Sequence, residues 1–123
     1  MKTGALILLV EDDRDIRDSF ADALGDEGHT VTRATDGLDA LECLRSGARP
    51  SLILLDLMMP RMDGLRFRAE VSKVPEWADI PIVVMTADVR AKAQTIGVRS
   101  FLRKPIHLRD LLNTVNHVLA DAC

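Results

Sequence analysis

Continuous apolar runs alternate with amphipathic segments along the chain. The runs at 5–10 (ALILLV), 52–55 (LILL) and 81–85 (PIVVM) contain no polar residue, which is typical of strands covered on both faces. Residues 30–34 (TVTRA) alternate more weakly and predict an edge strand, and residues 100–103 (SFLR) predict a fifth strand. Buried runs of this kind indicate a parallel sheet between two layers of helices.

Apolar residues at helical spacing fill the gaps between these runs. The predicted helices are a segment with Ile16, Phe20, Ala23 and Leu24 that ends near Gly28, one with Leu38, Leu41 and Leu44 that ends at Gly47, residues 64–74 ending near Pro75, a short segment at 89–96, and one from Leu108 to Leu119. Because crossovers between parallel strands are right-handed, this alternation predicts an α/β, flavodoxin-like (βα)5 doubly wound sandwich. Its five-stranded parallel sheet has the order 2-1-3-4-5.

Composition narrows the class of protein. A length of 123 residues suits one domain, and 47% hydrophobic with 28% charged residues indicates a globular chain with, at 3% aromatics, an aliphatic core. A net charge of −3 argues against broad nucleic-acid binding, and the run at 5–10 is too short to span a membrane. Cys43 and Cys123 fit no metal-site spacing and are expected as reduced thiols. We therefore expect a single cytoplasmic domain over residues 1–123, with no membrane contact and no output domain in this chain.

Polar residues follow the strands that flank the predicted crevice. Glu11, Asp12 and Asp13 follow the first strand, Asp56 the third, Thr86 the fourth and Lys104 the fifth. Because ligands of such sheets bind beyond the carboxyl ends of the strands, these side chains are expected at one rim. Three carboxylates repel one another unless a lysine or a hard cation such as Mg²⁺ compensates them. An aspartate beside Mg²⁺, a lysine and a hydroxyl group can accept a phosphoryl group.

Four motifs carry a family resemblance: LLVEDD, LILLDLMMPRMDG, VVMTA and FLRKP, in this order on the expected strands. With them the chain resembles, over essentially its whole length, the receiver domain of two-component response regulators. The resemblance implies that Asp56 is the phosphoacceptor and that Thr86 and Lys104 contact the phosphoryl oxygens. The implied Mg²⁺ ligands are Asp12, Asp56, the backbone carbonyl of Met58, and Glu11 mainly through water. The implied switch residues are Thr86 and Phe101, through its aromatic ring.

The implied function is that of a phosphoacceptor domain in a two-component phosphorelay. A histidine kinase or a histidine phosphotransfer protein would pass a phosphoryl group from its phosphohistidine to Asp56, with Mg²⁺ as cofactor. Thr86 would then move toward the phosphoryl group, and the ring of Phe101 would fill the vacated space. This movement would repack the face of the helix at 89–96, the strand at 100–103 and the last helix, and so control partner binding. Catalysis would be limited to autophosphorylation from phosphodonors and slow self-dephosphorylation.

Each site residue also has a simpler interpretation. Asp12 and Asp13 suit the start of the first helix, and we assign helix capping to Asp13 alone. Asp56 would also suit an Asx-type turn, and Lys104 would also suit a solvated surface. Phe101 is expected to be at least partly buried whatever the function.

Two other functions stay open on the sequence. A magnesium-dependent phosphatase that forms an aspartyl phosphate usually has a second aspartate two residues after the nucleophile. Met58 occupies that position here, which disfavours turnover of small substrates. The other alternative is a receiver-like protein-binding module that is not phosphorylated. It stays open because the interval from Thr86 to Lys104 is about one helical turn shorter than is usual in the family. The shortening falls in the predicted helix at 89–96 and puts the usual partner geometry in doubt.

The segment from Arg90 to Arg109 is rich in basic residues, namely Arg90, Lys92, Arg99, Arg103, Lys104 and Arg109. We expect this basic region to meet an acidic downstream protein partner, although a solvated face explains the charges equally well. The chain has no helix-turn-helix pattern, so no nucleic-acid binding is expected through this domain.

Overall fold

Five strands and five helices lie in the described residues of the computed structural model, which are 4–88 and 98–121. In chain order they are β1 (Leu6–Val10), α1 (Arg14–Asp26), β2 (Thr30–Ala34), α2 (Gly37–Arg45), β3 (Leu52–Asp56), α3 (Gly64–Ser72), α4 (Pro75–Ala78), β4 (Ile82–Thr86), β5 (Ser100–Arg103) and α5 (Leu108–Asp121). The predicted helix at 89–96 lies outside the described residues. In the ranges that the structure describes, no helix is both long and apolar enough to cross a membrane.

The strands form one parallel sheet with the order β2-β1-β3-β4-β5. The register pairs Ile7 with Leu52 and Val10 with Leu55 between β1 and β3. Every residue of β3 and β4 is buried, as their unbroken apolar runs predicted, and β2 lies at an edge. The predicted α/β, doubly wound sheet of order 2-1-3-4-5 is therefore confirmed.

Alternate residues of each strand point to opposite faces, so the sheet has a core on each side. One core packs α2, α3 and α4 against the sheet and contains Leu8, Val10, Leu41, Leu44, Ile53, Leu55, Phe67, Val71, Trp77 and Val84. The other packs α1 and α5 and contains Ile7, Leu9, Phe20, Leu24, Leu52, Leu54, Met85, Leu111, Val115 and Val118. Leucine, isoleucine and valine dominate both, which agrees with the expected aliphatic core.

Helix α4 was not predicted. The sequence predicts that the preceding helix stops near Pro75, and α3 does end before it, at Ser72. Proline is also favoured at the first position of a helix, because that position needs no backbone N–H bond and has the φ that proline prefers. Pro75 begins α4 in this way, and the short helix places Trp77 in the core.

Aspartates cap three of the helices. The Asp13 carboxylate accepts a hydrogen bond from the N–H of Ile16 at 3.0 Å, which confirms its predicted capping role. Asp36 and Asp63 occupy the same position before α2 and α3. Each carboxylate satisfies a backbone donor that has no partner inside the helix. Helices α1, α2 and α3 therefore begin at defined positions.

Gly64, the first residue of α3, is expected to tolerate no larger side chain. A Cβ atom there would lie 2.5 Å from the Asp56 carbonyl oxygen and 2.8 Å from the Leu57 Cα, both of which are backbone atoms. Gly64→Ala should therefore lower the free energy of unfolding by about 1–3 kcal/mol through overpacking. Urea denaturation measures this change.

Gly25→Ala in α1 is the matched control, because a Cβ atom there would have no neighbour within 4 Å. Alanine favours the helix by up to about 1 kcal/mol over glycine, so this variant should be more stable than wild type. If the two substitutions changed the free energy of unfolding equally, the start of α3 would not be in close contact with the end of β3.

Candidate functional site

Backbone hydrogen bonds hold the loops at the carboxyl edge of the sheet next to one another. The N–H of Leu57 donates to the carbonyl of Met85 at 3.3 Å, and the N–H of Lys104 donates to the carbonyl of Thr86 at 2.9 Å. The residue that follows β3 and the residue that follows β5 are thus each hydrogen-bonded to β4. The residues predicted for the rim consequently come together although they are far apart in sequence.

Three carboxylates form a cluster at this edge. Single oxygen atoms of Glu11, Asp12 and Asp56 all lie within 4.8 Å of one another. Glu11 is fully buried and Asp56 is 2% exposed, whereas Asp12 is exposed to solvent. The cluster therefore has two buried members and one side that opens to water.

Lys104 reaches into the cluster. Its Nζ lies 2.7 Å from Glu11 Oε1 and 3.3 Å from Asp56 Oδ2, and its side chain is 19% exposed. The alternative of a solvated lysine is therefore wrong. When all three carboxylates are ionised, they and the one ammonium group carry a net charge of −2, so the lysine compensates the cluster only in part.

Asp56 uses its two oxygens differently. Oδ2 faces Lys104, and Oδ1 accepts a hydrogen bond from the N–H of Met58 at 3.2 Å. The second bond is the Asx-type turn that the sequence analysis set against a functional role. The structure shows that the turn and the cluster coexist, because the turn aims the carboxylate at the rim.

The surroundings of Asp56 raise its pKa to about 7. Burial is the largest cause, followed by the charge of Glu11 and a hydrogen bond with it, while Lys104 and the Met58 N–H act in the opposite direction. Burial alone would lower the pKa of Lys104, but the Glu11 hydrogen bond and the two buried carboxylates raise it overall. Lys104 is therefore cationic at neutral pH. Asp56 is protonated in part of the molecules at that pH unless a further cation compensates the cluster.

The chemistry of this donor set suits a divalent cation. Mg²⁺ prefers oxygen ligands and usually binds through one or two carboxylates while keeping several waters. The cluster offers carboxylate oxygens, a net charge of −2 and an open side at Asp12. The residues present thus fit Mg²⁺.

Thr86 and Phe101 lie on the same face of the sheet. The register pairs Val84 with Phe101 and Thr86 with Arg103, so the threonine is two residues further along that face. Thr86 is buried and its Oγ1 accepts a hydrogen bond from the N–H of Asp88 at 3.1 Å. Phe101 is partly buried, as expected, and packs against the core below α2 and α3. Their relation as a switch stays a prediction.

The structure also reveals residues that the sequence analysis missed. Arg17, in the second turn of α1, donates from Nη1 to the carbonyl of Glu11 at 2.9 Å and to that of Asp12 at 3.4 Å. It thereby holds the loop that carries two members of the cluster. A single arginine on an amphipathic helix has no sequence signature that distinguishes this contact from solvation.

The basic region is only partly free to meet a partner. Arg90 and Lys92 lie outside the described residues, and Lys104 faces the carboxylates. Arg99 is paired with Asp121 of α5 at 3.3 Å. The remaining two basic residues, Arg103 and Arg109, are exposed.

An apolar groove borders the cluster. Its lining consists of Ile16, Phe20, Ala87, Lys104, Pro105 and Ile106. Because Lys104 forms part of both, the groove and the carboxylates are adjacent. The rim therefore presents apolar surface next to the carboxylates.

Known proteins that are similar to this chain in sequence and in fold belong to one family. The response regulator receiver domain family matches residues 7–116. Response regulator MprA of Mycobacterium ulcerans is 38% identical over 92% of this chain and 49% of its own length. The chain spans about half the length of the curated relatives it matches.

Solved structures agree with the sequence relatives. The chemotaxis response regulator CheY4 of Vibrio cholerae has a TM-score of 0.85 at 31% identity, covering 94% of this chain and 99% of that one. The signal receiver domain of a signal transduction histidine kinase from Syntrophus aciditrophicus has a TM-score of 0.87 at 28% identity, covering 96% and 92%. The carboxylate cluster, the partly buried lysine and these matches lead to one conclusion: the chain belongs to the receiver domain family of response regulators.

Proposed function

We propose that this chain accepts a phosphoryl group on Asp56 from the phosphohistidine of a histidine kinase or a histidine phosphotransfer protein. Receiver domains interact with histidine kinases and with downstream effector domains, and they generally bind Mg²⁺ at an acidic pocket. The observation that carries the proposal is the position of Asp56, which is buried at the rim with one oxygen 3.3 Å from Lys104 Nζ.

The proposed transfer needs Asp56 as the nucleophile. An Asp56 carboxylate oxygen attacks phosphorus, the P–N bond to the donor imidazole breaks, and its electron pair stays on the imidazole nitrogen. Lys104 balances negative charge on the phosphoryl oxygens, and Thr86 donates its O–H to one of them. Asp12, Glu11, Asp56 and the Met58 carbonyl would hold Mg²⁺, which supplies further positive charge at the same oxygens when bound.

The proposed output is a repacking of the face formed by β5 and α5. A phosphoryl group adds about −1.5 to −2 charge and three acceptor oxygens. Thr86 gives up its hydrogen bond with the Asp88 N–H to reach one of these oxygens, and the Phe101 ring moves along the same face of the sheet. The phosphoryl group shifts the population between two packings through these differential contacts. An acidic downstream partner would meet the basic region there, where Arg103 and Arg109 are exposed.

Residues 1–123 act as one signalling unit in the cytoplasm. Its donor approaches Asp56 along the apolar groove beside Lys104. Its chemistry is acceptance from phosphodonors and slow self-hydrolysis, rather than turnover of a small substrate. Asp88, two residues beyond Thr86, would influence how water reaches the phosphoryl group.

The test is the intact mass of the protein after incubation with acetyl phosphate, with and without Mg²⁺. Wild type should gain one phosphoryl group only with Mg²⁺, and Asp56→Asn should gain none. Asp63→Asn is the matched control, because asparagine caps a helix as well as aspartate does and the substitution lies in the same loop. It should gain the group like wild type.

A folded wild-type protein that gains nothing would overturn the proposal. That outcome would favour a receiver-shaped binding module that is not phosphorylated. A gain that persists in Asp56→Asn would place the acceptor elsewhere in the chain.

A further inference from the structure

The loop that follows Asp56 is attached to α2 by an ion pair between the buried Asp36 and Arg61, whose side chain is 59% exposed. The Asp36 side chain is 5% exposed and accepts hydrogen bonds from Arg61 Nε at 2.5 Å and from the N–H of Asp39 at 2.9 Å. Asp36 is the N-cap of α2, and Arg61 lies 25 residues away in the chain. A carboxylate that is removed from water and holds a charged donor in this way forms a strong, directional contact.

A second contact lies beside this pair. The N–H of Gly37 donates to the carbonyl of Met62 at 3.0 Å. A Cβ atom on Gly37 would lie 2.7 Å from that carbonyl oxygen, so the backbones of α2 and the loop touch without intervening space. Two successive loop residues, Arg61 and Met62, are therefore held by the start of α2.

The beginning and the end of the same loop are held at the phosphoacceptor. Asp56 Oδ1 accepts from the N–H of Met58, and the N–H of Gly64 donates to the carbonyl of Leu57 at 3.1 Å. Only two residues separate Met58 from Arg61. The peptide group after Met58 therefore lies between two attachments, one at Asp56 and one at Arg61.

The backbone of Arg61 shows that the attachment constrains the loop. Arg61 has φ = 60°, in the left-handed region that residues other than glycine, asparagine and aspartate seldom adopt. Such a conformation persists only where surrounding contacts hold it. The contacts in the structure are those of the Arg61 side chain with Asp36 and of the next residue with Gly37.

We propose that Asp36 and Arg61 are positioning residues for the cation site: their ion pair holds the loop so that the Met58 carbonyl faces the carboxylate cluster. The inference rests on the proposed function, since the carbonyl acts as a ligand only if Mg²⁺ binds there. The start of α2 thus supports a cation site to which it contributes no ligand.

The experiment is Mg²⁺ titration of the whole chain by isothermal calorimetry at fixed pH. Residues that orient metal ligands typically change metal affinity by about 10–100-fold, so Arg61→Ala and Asp36→Asn should each raise the Mg²⁺ Kd at least about tenfold. Arg61→Lys keeps the charge and should fall between these variants and wild type.

Arg61→Gly separates the side chain from the backbone. Glycine adopts φ = 60° readily, so this variant removes the ion pair while keeping the backbone conformation accessible. It should bind Mg²⁺ as weakly as Arg61→Ala. If it bound like wild type, the loop would be held by its backbone conformation and the proposal would be overturned.

Arg49→Ala is the matched control, because Arg49 forms an exposed ion pair with Glu76 at 3.5 Å and lies outside the cluster and its loop. Its Mg²⁺ Kd should equal that of wild type. Thermal unfolding in chelator confirms that each variant is folded during the titration. Variants that are folded and bind Mg²⁺ within twofold of wild type would refute the positioning role. If wild type itself bound no Mg²⁺, the proposed function would fail first.

Discussion

Asp56→Asn is expected to be more stable than wild type at about pH 8 in chelator, by on the order of 2–4 kcal/mol. Wild type must hold three carboxylates against one lysine, and asparagine removes one of these charges while its carbonyl can still accept from the Met58 N–H. Urea denaturation of the two proteins measures the difference. Adding Mg²⁺ should narrow it, because a ligand that binds only the folded state stabilises wild type more than the variant.

The sign of the pH dependence follows from the raised pKa of Asp56. Between its ordinary value of 3.8 and its value of about 7 in the fold, the folded state keeps a proton that the unfolded chain has lost. The folded state therefore loses stability relative to the unfolded chain as pH rises through this interval. The advantage of Asp56→Asn should accordingly be absent near pH 4 and complete above about pH 7.

The same substitution at the other buried aspartate should have the opposite sign. The pKa of Asp36 is lowered, because the hydrogen bonds from Arg61 and from the Asp39 N–H, with the charge of Arg61, outweigh the effect of burial. Asp36 therefore contributes stability above pH 3.8 that is lost as pH falls through its lower folded pKa. Asp36→Asn should be less stable than wild type at pH 8. If both variants were destabilised there, the carboxylate cluster would not be under the repulsion described.

Lys104→Met is expected to destabilise the protein by about 3 kcal/mol at pH 8 in chelator, since a buried ion pair that loses one partner leaves its charge uncompensated. Glu11 is fully buried and depends on Lys104 Nζ at 2.7 Å. The loss should diminish as pH falls below about 7, where Asp56 takes up a proton. Mg²⁺ should restore part of it by supplying the missing positive charge.

Lys73→Met supplies the matched control for this substitution. Lys73 lies 2.8 Å from Glu70, but its side chain is 70% exposed, so water already compensates both charges. Its effect on stability should be far smaller and nearly independent of pH. Equal losses for the two lysines would mean that Lys104 stabilises the fold only through general surface charge.

The fold was predictable because burial leaves a direct trace in the sequence. The runs at 52–55 and 82–86 are covered on both faces and contain few polar residues, and the edge strand at 30–34 does not. The site was predictable in outline for a geometric reason: the carboxyl ends of parallel strands share an edge. Which residues bind Mg²⁺ or phosphate stays a prediction from the resemblance and from this geometry.

Contacts of long side chains could not be predicted in the same way. A solvated arginine would give the same sequence pattern as Arg17, Arg61 and Arg99. Their partners in the folded structure are Glu11, Asp36 and Asp121, respectively. The left-handed backbone at Arg61 has no glycine to announce it. The ambiguity at Pro75 was of another kind, because proline both ends and begins helices.

The contact between Glu11 and Lys104 joins residues 93 positions apart, at opposite ends of the domain. The carboxylate cluster and its lysine are consequently assembled from the first strand, the middle of the chain and the last strand together, and a chain that lacks its final strand has no lysine at the cluster. Under the proposed function, a growing or misfolded polypeptide would then be unable to draw phosphoryl groups away from the donor. In this domain, competence to receive a signal would itself be a readout of completed folding.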